Sequence, residues 1–147
     1  MEKIKINCLL DENHIRISSK NVITGNISIS IANCDFPELQ WDDFVTRLLE
    51  MWLSSAIKIL NGSDNEDFPF MEGSFGFYIK YSNNMYQIEC YENDLIVIDK
   101  EISLSQFMFE LIQVCKTVMS YVNKQNWEYN YSENFISILE KIETQFG

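Results

Sequence analysis

The stretch that decides the fold is FGFYIKYSNNMYQIECYENDLIVI, residues 75–98. Apolar and polar residues alternate over residues 75–81 and again over residues 86–90, which is the two-residue period of a β-strand. Ser-Asn-Asn at 82–84 and Glu-Asn-Asp at 92–94 predict tight turns between the strands. The stretch therefore predicts an antiparallel meander.

The meander extends at both ends of this stretch. The run Leu95–Ile98 is apolar throughout, which is typical of a central strand that is buried on both faces. On the other side, the sequence allows another short strand at Phe68–Met71.

The first third of the chain predicts a second set of strands. Apolar residues alternate with polar ones over residues 4–10, 15–17 and 27–31. Polar clusters at 11–13 and 18–21 predict the turns. Three short strands joined by such turns indicate an antiparallel meander.

Three segments have the spacing of amphipathic helices. The first begins at Trp41, with Asp42 and Asp43 in its first turn, and ends at Asn61-Gly62. A capping box, Ser-Leu-Ser-Gln at 103–106, predicts the start of a second helix that ends near Lys124. A third helix starts at Ser132-Glu-Asn and turns four apolar residues inward: Phe135, Ile138, Leu139 and Ile142.

Together these elements predict an α+β fold. We expect a mostly antiparallel sheet of about six strands in two meanders, with three helices packed mainly on one face. A chain of 147 residues without a linker-like segment predicts a single domain over residues 1–147.

Charge narrows the function classes. The net charge is −11, so phosphate backbones and anionic lipid would repel the chain, and a cationic protein would be attracted. We therefore expect no nucleic-acid or membrane partner. The N-terminus shows no secretory signal, and no apolar run is long enough to span a membrane, so the sequence predicts a cytoplasmic protein.

The residues do not form a recognisable catalytic or metal-binding pattern. His14 is the one histidine, and it lies beside a predicted turn without a triad-like context. The four cysteines are scattered, and the spacing of Asp64, Glu66 and Asp67 does not fit an EF-hand. We expect no catalytic, cofactor or metal site, although a small enzyme with paired carboxylates stays open as an alternative.

Two stretches together resemble a known group of proteins. FPELQWDDFVTRLLEMWLSSAIKIL, residues 36–60, and DFPFMEGSFGFYIKY, residues 67–81, combine Trp, Asp-Phe, a helix with Leu and Trp, and a Phe-Met-Glu-Gly turn into a strand. This pattern resembles bacterial immunity proteins of contact-dependent inhibition and other polymorphic toxin systems. The resemblance implies a cytoplasmic protein that binds one cognate toxin C-terminal domain, often a cationic nuclease, and blocks its active site.

The predicted contacts with such a toxin are acidic and aromatic. NGSDNED, residues 61–67, is read as an acidic loop, which places Asp64, Glu66 and Asp67 first. An exposed helix face with Asp43 and Glu50 comes second, and Trp127 and Tyr129 complete the set. The FPFMEGSFG segment is read as structural, with Gly73 and Gly76 serving backbone geometry.

One alternative within the binding proteins stays open. A non-enzymatic adaptor or secretion chaperone would also be small and acidic, but chaperones of this kind usually act as dimers and hold an extended segment. For the immunity reading we expect a monomer or weak dimer.

Overall fold

Ten strands and three helices follow one another in blocks along residues 1–127 and 133–146, the part of the chain that the computed structural model describes. Six strands precede the first helix, four follow it, and two helices come last. The strands are β1 Ile4–Asn7, β2 Ile15–Ile17, β3 Ile23–Asn26, β4 Ser28–Ile31, β5 Cys34–Phe36, β6 Asp42–Asp43, β7 Asn65–Pro69, β8 Phe75–Ser82, β9 Met85–Glu92 and β10 Leu95–Ile102. The helices are α1 Val45–Leu60, α2 Leu104–Lys124 and α3 Glu133–Phe146. The predicted α+β class with antiparallel sheets is confirmed.

The strands form three sheets, with orders β1-β4-β5, β2-β3-β6 and β10-β9-β8-β7. The predicted meander of residues 75–98 is confirmed, and β7 adds a fourth strand to it. The meander predicted for the first third is wrong, because β1 pairs with β4 while β2 pairs with β3. Alternation shows that these residues form strands, but it does not show which strands pair.

The apolar run Leu95–Ile98 was expected in a central strand, and this expectation is also wrong. β10 is an edge strand that pairs with β9. Its side chains are largely exposed up to Val97, where the register shifts between Ile96 and Ile98. A continuous apolar run is typical of a strand that is covered on both faces, whereas Leu95, Ile96 and Val97 are exposed.

Helix α1 begins later than the sequence predicts. Asp42 and Asp43 are not in its first turn, because they pair with Asn26 and Gly25 of β3 as the short strand β6. The end of the helix is as predicted. Asn61 is the C-cap, and Gly62 has a φ of 107°, a left-handed conformation that glycine adopts without steric cost.

The core centres on Trp52 of α1. Its ring contacts Phe70 and Phe77 edge-on at centroid distances of 5.3 and 5.1 Å, and Phe107 of α2 contacts Phe68 at 5.3 Å. All five side chains are buried. The helices α1 and α2 therefore bury the same face of the four-stranded sheet.

The predicted capping box of α2 forms only in part. Ser103 Oγ accepts a hydrogen bond from the Gln106 main-chain N–H at 3.3 Å, as predicted. The Gln106 side chain does not return to Ser103, because it bonds both the N–H and the carbonyl of Ile4 in β1, at 3.0 and 3.1 Å. The residue that closes a local cap in the prediction instead joins α2 to the first sheet.

Candidate protein-binding surface

The side of the four-stranded sheet that faces away from Trp52 carries its polar side chains in aligned rows. The strand register sets Asp67, Tyr78, Glu89 and Asp99 opposite one another across β7, β8, β9 and β10. Alternate residues point to the other side, where the core lies. Asp67 and Asp99 are exposed, and Tyr78 and Glu89 are half-buried. We call the side that carries this row the outer face.

Tyr91 connects three strands on the outer face. Its hydroxyl donates to Asp67 Oδ1 at 2.8 Å, and its ring lies 4.9 Å from that of Tyr78. A Cβ at Gly76 would collide with the Tyr91 ring, so glycine is required where the ring crosses β8. Burial raises the pKa of the Tyr91 hydroxyl above its ordinary value, and the bond to Asp67 raises it further. The hydroxyl is therefore a stable donor at neutral pH.

Lys80 brings a basic group to the outer face, but the carboxylate of Glu89 neutralises its charge there. Its Nζ lies 2.7 Å from Glu89 Oε1 and 5.4 Å from the centre of the Tyr78 ring. The opposite charges of Lys80 and Glu89 largely cancel at a distance. Asp99 and Glu101 alternate on β10 and therefore share this face, where they add negative charge.

The negative charge of the protein is concentrated around this sheet. Residues 64–102 contain nine acidic and two basic residues, which gives −7 of the net −11. Residues 1–36, which form the first five strands, contain four acidic and four basic residues and are neutral overall. The field that a cationic molecule meets is therefore strongest at the four-stranded sheet.

A shallow depression of about 410 Å³ opens beside Tyr91. It combines apolar walls with polar groups from the turn after β9. The lining residues are Pro69, Phe70, Gly73, Ser74, Phe75, Tyr91, Asn93 and Asp94. An apolar wall next to a carboxylate suits a lysine or arginine side chain, because the stem of such a side chain is apolar and its end is charged.

The predicted acidic loop, residues 61–67, is a loop only as far as Asp64, because β7 begins at Asn65. Asp64 is exposed just before β7, and Asp67 lies on the outer face. Glu66 turns towards α1, accepts a hydrogen bond from Ser63 Oγ at 2.6 Å and lies 4.0 Å from Lys58 Nζ. The structure therefore brings Asp67 to the candidate surface, leaves Asp64 at its margin and directs Glu66 away from it.

Asp43 is buried, so its placement on an exposed helix face is wrong. It is 1% exposed, and its carboxylate accepts four hydrogen bonds. The donors are Trp41 Nε1 at 3.0 Å and the main-chain N–H groups of Phe44, Met71 and Glu72 at 2.7, 3.1 and 3.2 Å. Asp43 thus joins the Trp-Asp-Asp-Phe segment, residues 41–44, to the Phe-Met-Glu-Gly turn, residues 70–73. The two stretches that carry the resemblance meet at this carboxylate.

The remaining predicted contacts lie elsewhere. Glu50 is half-buried on α1 and lies 3.4 Å from Asn134 Nδ2 of α3, at the junction of these helices. Trp127 is half-buried and packs edge-on against Tyr121 of α2, with ring centroids 5.8 Å apart. Tyr129 lies outside the described residues.

Sequence reasoning missed Tyr78, Glu89, Tyr91 and Asp99. Alternation in β8, β9 and β10 already marks the polar side of each strand. However, only the register shows that Tyr78, Glu89 and Asp99 stand in one row with Asp67, and that Tyr91 lies on the same face one row away, opposite Gly76.

The described residues offer little for catalysis or metal binding. Within residues 1–127 and 133–146, no group of three or more His, Cys, Asp or Glu side chains is arranged to hold a metal ion. His14 Nδ1 lies 2.7 Å from Asp11 Oδ1 in the turn before β2, and the hydrogen bond with His14 lowers the pKa of Asp11. Because both groups are near solvent, this pair is a local turn contact.

In comparisons with known proteins, no family model, no curated protein and no solved structure matches the chain. No helix among the described residues is long and apolar enough to cross a membrane.

Proposed function

We propose that this chain is a cytoplasmic immunity protein that binds and neutralises a cognate toxin domain. The observation that carries the proposal is the concentration of −7 of the net charge around one sheet whose outer face has exposed carboxylates. The Trp-Asp-Asp-Phe and Phe-Met-Glu-Gly segments, which resemble those of immunity proteins, add support because Asp43 joins them in space.

The proposed toxin is a cationic nuclease domain, because a nuclease must attract an anionic substrate. An acidic sheet offers the same attraction and competes for the same cleft. Steering of this kind raises association rates from about 10⁵–10⁶ to as much as about 10⁸–10⁹ M⁻¹s⁻¹ at low salt. We therefore expect association that slows steeply as salt is added.

Affinity in such a complex comes from a few desolvated anchors. Tyr78 and Tyr91 are suited to this role, since their rings are already held together and their ordering costs little on binding. Asp67, Asp99 and Glu101 share the outer face with the rings and provide carboxylates that pair with lysine or arginine. The chain then acts by covering the toxin's active site, and it needs no catalytic group of its own.

The direct test is co-expression with the C-terminal domain encoded immediately upstream of this chain. We expect a stable complex on co-purification and growth only when this chain is present. A domain that is toxic, but that neither binds this chain nor is neutralised by it, would contradict the proposal.

A charge-reversal pair then tests the outer face. Asp99→Lys places a cation in the row, whereas Glu12→Lys makes the same change of charge in the turn between β1 and β2. We expect Asp99→Lys to slow association by about tenfold or more and Glu12→Lys by much less, because steering depends on where the charge lies. Equal slowing by both variants would assign the effect to net charge and not to this face.

The adaptor or secretion-chaperone alternative has one structural feature in its favour. The apolar residues at the edge of β10 are exposed, as in proteins that hold an extended segment. Its distinguishing outcome is a stoichiometric dimer that binds a secreted protein without neutralising a toxin.

A further inference from the structure

The edge of β10 is open along most of its length. The carbonyl of Glu101 accepts a hydrogen bond from the Glu2 N–H at 2.9 Å, so this carbonyl points away from β9. Because the direction of the backbone groups alternates along a strand, the N–H and carbonyl of Asp99 point the same way. Among the described residues, Glu2 alone is bridged to β10 on this side, opposite Ile102.

Apolar side chains occupy the open part of the edge. Leu95 is 67% exposed, and Ile96 and Val97 are each 42% exposed. Proteins usually protect an edge strand with charged residues, proline, a β-bulge or a covering element, because a bare edge pairs with other chains. At Leu95, Ile96 and Val97, β10 has a register shift but no charged residue, no proline and no covering element among the described residues. This incomplete protection points to a strand from another molecule as the partner of the edge.

We propose that β10 is the docking site for an extended basic segment of a protein partner, which adds a fifth strand to the sheet. Carboxylates flank the apolar residues on both sides, with Glu92 and Asp94 before them and Asp99 and Glu101 after them. The segment that complements this edge alternates lysine or arginine with apolar residues. This inference rests on the proposed function, in which the toxin domain supplies the segment.

Charge decides against a second copy as the occupant. Pairing β10 with β10 would bring together two sheet regions that each carry −7. Repulsion between two regions with such an excess of like charge opposes their association. A basic segment instead gains ion pairs with the flanking carboxylates in addition to the backbone hydrogen bonds.

Two peptides separate strand pairing from simple charge attraction. One is a short peptide of alternating lysine and valine, and the other has the same sequence with all its backbone nitrogens methylated. Both carry the same charge, but the methylated peptide cannot pair with β10 along either of its edges. We expect the methylated peptide to bind about tenfold more weakly, from the loss of two or three backbone hydrogen bonds. Equal affinities would overturn the inference.

Hydrogen exchange locates the binding. Asp99 N–H points outwards, so we expect the unmethylated peptide to slow its exchange in the full chain and the methylated peptide to leave it nearly unchanged. Protection that appears elsewhere and not at Asp99 would place the peptide on another surface and overturn the proposal.

A matched pair of variants tests the edge itself. Val97→Lys puts a cation on the edge, and Leu39→Lys makes the same kind of exchange at another exposed apolar residue. We expect Val97→Lys to weaken the unmethylated peptide about tenfold and Leu39→Lys to leave its affinity almost unchanged. A dimer seen by light scattering, and dissolved by Val97→Lys, would instead assign the edge to a second copy.

The same variants in the complex with the toxin domain distinguish the two proposals. If the native chain does not bind the toxin domain, the proposed function fails. If the native chain binds and Val97→Lys binds equally well, only the strand-docking inference fails. Weaker binding by Val97→Lys, with full binding by Leu39→Lys, supports both.

Discussion

The two edge strands of the four-stranded sheet, β7 and β10, differ both in polarity and in whether other elements cover their outer edges. β7 is polar in sequence, with Asn-Glu-Asp at 65–67, yet its outer edge is closed. Ser55 Oγ donates to the Asp67 carbonyl at 2.7 Å, and Trp52 Nε1 donates to the Pro69 carbonyl at 2.8 Å. Pro69 also has no N–H to offer. The edge of β10 is open and carries an apolar run. Among the described residues, only Glu2 pairs with this edge, at one end of the strand.

This contrast shows that the composition of an edge strand does not tell whether the edge is closed. Closure of β7 depends on side-chain donors of α1, which reach across from a different part of the sequence. The apolar residues of β10 remain available because no described element crosses them. One edge thus holds the fold together, and the other is free for a partner.

Of the substitutions at the closed edge, Trp52→Ala is expected to cause the largest loss of stability. It removes the central core ring and the donor to the Pro69 carbonyl together. We expect unfolding free energy to fall by about 3–5 kcal/mol, as for other buried aromatic truncations, measured by urea denaturation. Phe109→Ala, at an exposed aromatic residue of α2, is the control and should change stability little. A loss below about 1 kcal/mol for Trp52→Ala would contradict the role of this residue.

Asp43→Asn tests the turn that follows β7. The amide cannot accept hydrogen bonds at both ends, so at least one buried N–H among its four donors loses its partner. We expect a loss of about 2–3 kcal/mol in urea denaturation. Asp42→Asn is the matched control, because Asp42 is exposed and pairs with Arg16 at the surface, where an ion pair is worth about 0–1 kcal/mol. Similar losses for both variants would show that the buried hydrogen bonds are not decisive.

Ser55→Ala isolates one hydrogen bond of the closed edge. Alanine favours the helix, so the loss of the bond to the Asp67 carbonyl is measured against Ser54→Ala, the neighbouring serine of α1. We expect Ser55→Ala to be less stable than Ser54→Ala by about 1 kcal/mol. Faster hydrogen exchange in β7 should accompany this loss. Indistinguishable variants would mean that helix packing alone closes the edge.

Val97→Lys gives the smallest expected effect on stability. Val97 is exposed at a register shift, so a lysine there disturbs neither the core nor the pairing with β9. We expect the free energy of unfolding, measured by thermal and urea denaturation, to change by no more than about 0.5 kcal/mol. A loss comparable with that of Asp43→Asn would show that the β10 edge also serves the fold.

The sequence predicted more of the fold than of the candidate site. The meander of residues 75–98, the end of α1 at Asn61-Gly62 and the bounds of α2 follow from local periods and caps, which are properties of neighbouring residues. Asp43 and Leu95–Ile98 were misread because burial depends on distant partners. An aspartate beside a helix is usually exposed, and an apolar run is usually central, unless tertiary contacts decide otherwise.

By itself, the sequence determined the α+β class, the excess of negative charge and its position around residues 64–102, since these depend on residue types and short-range spacing. Only the tertiary structure decided that Asp67, Tyr78, Glu89 and Asp99 form one row, that Asp43 binds the turn at 71–72, and that β7 is closed while β10 is open. The physical reason is that strand register and edge coverage are set by contacts between residues far apart in the chain.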